Sequence, residues 1–184
     1  MPYALSLQNS IAAADRPDLA GWIVDLRHNG GGSFYEMLAG VGPVLGNGLS
    51  GSFLKVDGTA IPFSYNDGVA SANGIAEITI PPYVLMHPAP RVAVLIDNLV
   101  ASSGEAVLVS FVGRPNTRLF GTATCGLSTG NTSYHLTTGA TLQLCDAIDR
   151  DRNEKIYGGP IQPDETVTDV VQLFARATSY VVTQ

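Results

Sequence analysis

The stretch Gly21-Trp22-Ile23-Val24-Asp25-Leu26-Arg27-His28-Asn29-Gly30-Gly31-Gly32 reads as a short buried strand that runs into a triple glycine. Glycines let a backbone take conformations closed to other residues and leave its N–H groups unscreened, which suits an anion or oxyanion site. A second apolar run, Arg91 to Ile96, leads to Val100-Ala101-Ser102-Ser103-Gly104-Glu105, a strand feeding a helix that opens on a serine pair. Both unusual loops therefore fall at strand C-termini, the ligand edge of an open α/β sheet.

Outward from these two segments the chain alternates. Leu5 to Ala14 and Phe34 to Leu45 repeat apolar residues at helical spacing on either side of the first strand. From Ser52 to Ile80, short runs rich in Phe, Val, Ile and Tyr are separated by Asp57-Gly58, Asn66-Asp67-Gly68 and Asn73-Gly74, which are hairpin turn signals and predict a β excursion. Beyond Ile96 the pattern predicts a helix over Ser102 to Val112, strands over Leu119 to Thr122, Ser133 to Thr137 and Thr141 to Cys145, and a helix over Thr168 to Val182. No repeat, low-complexity tract or interdomain linker interrupts this order.

Composition bounds the function. At 184 residues and 45% hydrophobic content the chain fits one domain with a proper core, and its 14% charged residues are few against a usual value of about 25%. A net charge of −6 and a pI near 4.8 give no basic surface for nucleic acid, while a cationic or neutral peptide is tolerated. No apolar segment is long and uninterrupted enough to predict a membrane span, and Met1 to Ala20 lack the basic start and apolar core of a signal peptide. The compartment of the protein is not fixed by this. Cys125 and Cys145 show no metal-ligand spacing and read as two buried or semi-buried thiols.

Taken together, the motifs resemble the C-terminal processing (tail-specific) serine peptidases, and among them the nisin-resistance branch. That branch pairs a Gly-Trp-Ile-Val-Asp-Leu-Arg-x-Asn-Gly-Gly-Gly segment with Thr-Ala-Ser-Ser-Gly-Glu, here Gly21 to Gly32 and Val100 to Glu105. The likeness continues through Met37 to Pro43, Gly113 to Thr117, Ser128 to Asn131 and Tyr157 to Asp164, so it spans roughly residues 21 to 167. The resemblance implies a crotonase/Clp-protease-like spiral core, here with a β-hairpin excursion. It also implies peptidase activity by acyl transfer without a cofactor, on a peptide or a protein C-terminal segment, in a family whose members are often exported. By the family's register Ser102 is the nucleophile, and the N–H groups of Ser103 and of Gly31 or Gly32 are the oxyanion donors. A helix N-terminus at Ser103 favours developing negative charge there.

The base is the departure. Where the tail-specific subgroup carries its lysine this chain has Leu127, and the histidine of the nisin-resistance branch lies upstream of the Asp-Leu-Arg motif, where Met1 to Ala20 hold none. Of three histidines, His28 in the glycine loop and His135 on an expected strand are the local alternatives, and neither matches a family base. Residues 1–184 are thus expected to form one peptidase-core domain without the upstream region that supplies the histidine in relatives. The apolar surface left by such a region would favour a homo-oligomer.

Plainer readings compete with chemistry. Ser102-x-x-Glu105 and Ser33-x-x-Glu36 both have the spacing of capping boxes, and spacing alone favours that role; the resemblance reverses it for Ser102 only. Asp25 and Arg27 are expected to pair within their loop. The cluster Asp146, Asp149, Arg150, Asp151, Arg152 and Glu154 lacks the pattern of a calcium loop and reads as a solvated turn. Three functions survive: a peptidase core acting through Ser102, a peptide-binding module that has lost turnover, and a structural domain whose serine only caps a helix.

Overall fold

The computed structural model describes residues 2–183. Its elements, in chain order, are α1 (Pro2–Ala14), β1 (Gly21–Asp25), α2 (Phe34–Leu45), β2 (Gly48–Lys55), β3 (Ala60–Asn66), β4 (Val69–Ala72), β5 (Ile75–Thr79), β6 (Arg91–Ile96), α3 (Ser103–Phe111), β7 (Thr117–Gly121), β8 (Thr129–His135), β9 (Thr141–Asp151), β10 (Glu165–Thr166) and α4 (Val170–Val182). Strands β1, β6, β7 and β10 form a parallel sheet in that order, and β5, β4, β3, β2, β9 and β8 form an antiparallel sheet.

This arrangement corrects the expected spiral core. A spiral winds strands and helices together along the whole chain, whereas here all the βα alternation is confined to the parallel sheet. The segment read as an excursion supplies four strands of a separate six-stranded sheet that β8 and β9 complete. The turns at Asp67-Gly68 and Asn73-Gly74 explain the meander, since all four residues have positive φ, 47° and 86°, 49° and 77°, as tight two-residue hairpins of right-twisted strands require.

Strand β6 organises the core. Its alternate residues Val92, Val94 and Ile96 join the main cluster with α2 and α3, while Ala93 and Leu95 face Phe120 and the α4 residues Leu173, Ala177 and Val181. Helices thus cover both faces of the parallel sheet, which accounts for its near-continuous apolar strands. Phe34, Phe53 and Phe63 stack edge-on with centroids 4.8–5.4 Å apart and join α2 to the antiparallel sheet.

Of the acidic cluster read as a solvated turn, Asp146 to Asp151 are instead the end of β9, with Asp149 and Asp151 buried, and Arg152 and Glu154 alone fall beyond the strand. Asp151 is tolerated inside because it accepts from the N–H groups of Asn153 and Lys155 and from the Tyr157 hydroxyl. Cys125 and Cys145 are free thiols but exposed, not buried. No helix among the described residues is long and apolar enough to cross a membrane.

Candidate active site

Parallel pairing of β1 with β6, in register Asp25 to Leu95, sets the two C-terminal loops side by side. Backbone bonds then sew them together: Leu26 N–H donates to Leu95 O at 3.0 Å and Ala101 N–H to Asn29 O at 3.0 Å. Asp97 accepts from the N–H groups of His28 and Leu99 at 3.1 and 3.0 Å, and the Ser103 hydroxyl donates to Gly32 O at 2.8 Å. Gly31 lies so close that a Cβ there would stand 3.0 Å from Ser102 Cβ and 3.1 Å from Ala101 O. The Asp25–Arg27 pair forms as expected, at 2.7 Å, with the guanidinium over the Phe174 ring. Burial opposes the Asp25 charge, but the bonds from Arg27 outweigh it and hold the carboxyl below its usual range.

Ser102 occupies φ 54° and ψ −126°, a region that costs a non-glycine residue about 1–3 kcal/mol. The strain has a visible origin. Ala101 is pinned to Asn29, and one residue later the chain must enter α3, while the buried Glu105 carboxylate accepts from Ser102 N–H at 3.2 Å. Glu105 also accepts from the Thr124 hydroxyl, and from Gly126 N–H at 3.0 Å, so one carboxylate fastens a third loop to the same turn. Ser102 and Glu105 face each other as a capping box, and the Ser102 carbonyl accepts from Glu105 N–H at 2.8 Å. The Ser102 side chain thus faces the first turn of α3 across the capping box, whereas the Ser33 hydroxyl at the start of α2 makes no cap bond.

The expected donors are brought together around this serine. Gly31 N–H donates to Asn29 Oδ1 at 3.1 Å, whereas the Gly32 and Ser103 N–H groups have no partner among the described residues. Gly32, Ser102 and Ser103 border a cleft of about 410 Å3 between the loops and the antiparallel sheet. Its lining combines apolar Phe34, Phe53 and Ala106 with Lys55, Thr132 and Asp146. A further cavity of about 300 Å3 under α1, walled by side chains such as Leu7, Ile11, Trp22 and Val41, does not include Ser102.

The two local histidines are not brought into the cleft. His28 is exposed and pairs with Asp97 at 3.2 Å, and His135 is exposed at the far end of β8 beside Thr141. Leu127, at the position of the family lysine, is exposed as well. Lys55 and Asp146 are cleft residues that sequence reading missed. The available signal was weak: Lys55 shares the alternation of Phe53 in β2, where an apolar residue would be the default.

Behind the serine turn a second carboxyl is fully buried. Asp149 is 0% exposed, and neither of its oxygens has a hydrogen-bond partner among the described residues. Burial, helped by the neighbouring Glu105 charge, pushes it up to about 7.

Comparison with known proteins agrees with this geometry. Residues 3–167 match the model of peptidase family S41. The chain is 34% identical over 163 residues to a nisin-resistance protein of Lactococcus lactis subsp. lactis, covering 88% of this chain and 50% of that one, so it spans half the length of that relative. Among solved structures, a lipoprotein from Streptococcus agalactiae superposes with a TM-score of 0.75 at 26% identity, over 98% of this chain and 59% of that one. The photosystem II D1 C-terminal processing protease superposes with a TM-score of 0.67 at 17% identity, over 98% of this chain and 45% of that one, a likeness of fold alone. The shared architecture is an α/β fold with an antiparallel half-barrel, not a crotonase or Clp spiral. With the family model covering nearly the whole chain and the paired glycine and serine loops in place, this chain belongs to peptidase family S41, the tail-specific serine peptidases, close to the nisin-resistance proteins.

Proposed function

We propose that the chain is the core domain of a serine peptidase that cleaves peptides by acyl transfer, with Ser102 as nucleophile. The observation that carries this is the strained Ser102 backbone, φ 54° and ψ −126°, on a strand-to-helix turn that borders the cleft. Ser102 Oγ attacks the scissile carbonyl carbon, and its proton passes to a base. The carbonyl oxygen, now an oxyanion, is held by the N–H groups of Ser103 and Gly32, with Gly31 keeping the loop against the serine. Collapse of the tetrahedral species expels the amine, and water releases the acyl group by the same steps.

The base comes from outside the cleft formed by these residues, from an upstream region or a partner protomer, since His28 and His135 both lie away from it. The same absence favours a second reading, a module that binds peptides without cleaving them. Treatment with a fluorophosphonate probe, with imidazole added as a base, tests the proposal. Peptide mass spectrometry should place the adduct on Ser102, with loss in Ser102→Ala and retention in Ser103→Ala. Folded protein that is never modified at Ser102 would exclude a nucleophilic role, and a peptide that binds yet is never cleaved by the imidazole-supplied chain would favour the binding module.

A further inference from the structure

The two charged residues of the cleft are not equivalent. Asp146 accepts from three directions, from the Thr132 hydroxyl at 2.8 Å, the Tyr134 hydroxyl at 3.3 Å and Lys55 Nζ at 3.4 Å. The Thr132 bond, helped by Lys55 and Tyr134, holds its carboxyl below the usual range. A carboxylate so engaged has little left to offer a ligand. Lys55 is the reverse case: an ammonium carries three donors, and the single bond-length partner among the described residues is Asp146. Its side chain is 28% exposed, and it is the one cation among the described residues that line the cleft.

Lys55 Nζ offers donors and no acceptor, and one donor is taken by Asp146. Its remaining capacity is to donate to an anion. The surroundings match that role: the cleft's other free donors, Gly32 and Ser103 N–H, also offer hydrogen.

We propose that Lys55 is a specificity residue that selects a substrate carboxylate beside the scissile bond, with Asp146 holding the lysine in place. The proposal rests on the reading of Ser102 as the nucleophile of a peptide-cleaving site. The carboxylate is either the α-carboxylate of a peptide end or an Asp or Glu side chain, since both present the same two oxygens to the ammonium.

Binding to Ser102→Ala protein tests this without turnover. Four fluorescent N-acylated tetrapeptides of Ala and Leu are compared by anisotropy: one ending as the acid, its carboxamide, and two carboxamides with an internal Glu or Gln. An acid-over-amide or Glu-over-Gln preference of about tenfold is expected, as a charge-assisted hydrogen bond contributes, and whichever pair shows it names the source. The preference should vanish in Lys55→Met and persist in Lys55→Arg. Equal affinities within both pairs, a preference that survives Lys55→Met, or failure of all four peptides to bind would overturn the proposal. Fluorophosphonate labelling of Ser102 in the otherwise unchanged protein separates the two readings. Labelling without a carboxylate preference sinks the role of Lys55 alone, and a preference without labelling sinks the nucleophile.

Discussion

The two sides of the cleft are built in opposite ways. The loop side presents backbone groups, Gly32 and Ser103 N–H, fixed by bonds between neighbouring loops of buried parallel strands. The sheet side presents side-chain charge, Lys55 and Asp146, on strands of the antiparallel sheet. Backbone donors anchored in a core cannot relax and suit the stabilisation of a transient charge; side chains at a partly exposed strand end can adapt and suit selection.

Asp149 is where the two sides meet, and it gives the largest expected effect. Its carboxyl titrates near 7 in the fold but near 3.9 in an unfolded chain. The folded state therefore holds the proton more tightly, and this group's contribution to stability is full below about pH 4, falls as pH rises towards 7 and is level above. The loss amounts to about 4 kcal/mol from this group. Chemical denaturation of Asp149→Asn should show that decline removed, and parallel pH profiles for the two proteins would mean that Asp149 is solvated or paired.

Gly31→Ala breaks the loop side alone. With φ 108° and Ser102 Cβ 3.0 Å from the added methyl, the loop must withdraw, and fluorophosphonate labelling of Ser102 should slow by about a hundredfold. Carboxylate binding at Lys55 should change little, so equal losses on both sides would mean that the cleft deforms as one body.

The smallest effect distinguishes strain from capping. Ser102→Gly should raise stability by about 1 kcal/mol by relieving the positive φ. Ser102→Ala should lower stability by about 1 kcal/mol through loss of the serine's half of the capping box, and a change within about 0.5 kcal/mol would show that the hydroxyl does not cap.

The same contrast explains what the sequence could convey. The loop side was legible because each motif is local: a strand of four to six apolar residues followed at once by its glycines or serines, and the bounds of α2 and β6 follow directly from their periodicity. The sheet side was not, because Lys55 and Asp146 meet only through the pairing of β2 with β9, and no local pattern states that pairing. The second half of β9, beyond the expected strand over Thr141 to Cys145, was also hidden by its carboxylates. Asp151 is buried by hydrogen bonds rather than by apolarity, so the alternation that marks a strand reads as a polar turn. The spiral expectation failed for a related reason: strand order in two separate sheets is a property of long-range pairing.

The central claim is that the glycine loop and the start of α3 form one oxyanion site on Ser102. A crystal structure of the fluorophosphonate adduct tests it most directly. The phosphonyl oxygen should bond to Ser102 Oγ's phosphorus and lie about 3 Å from both Ser103 and Gly32 nitrogens. An adduct on Ser103, or an oxygen turned to solvent away from both N–H groups, would contradict it.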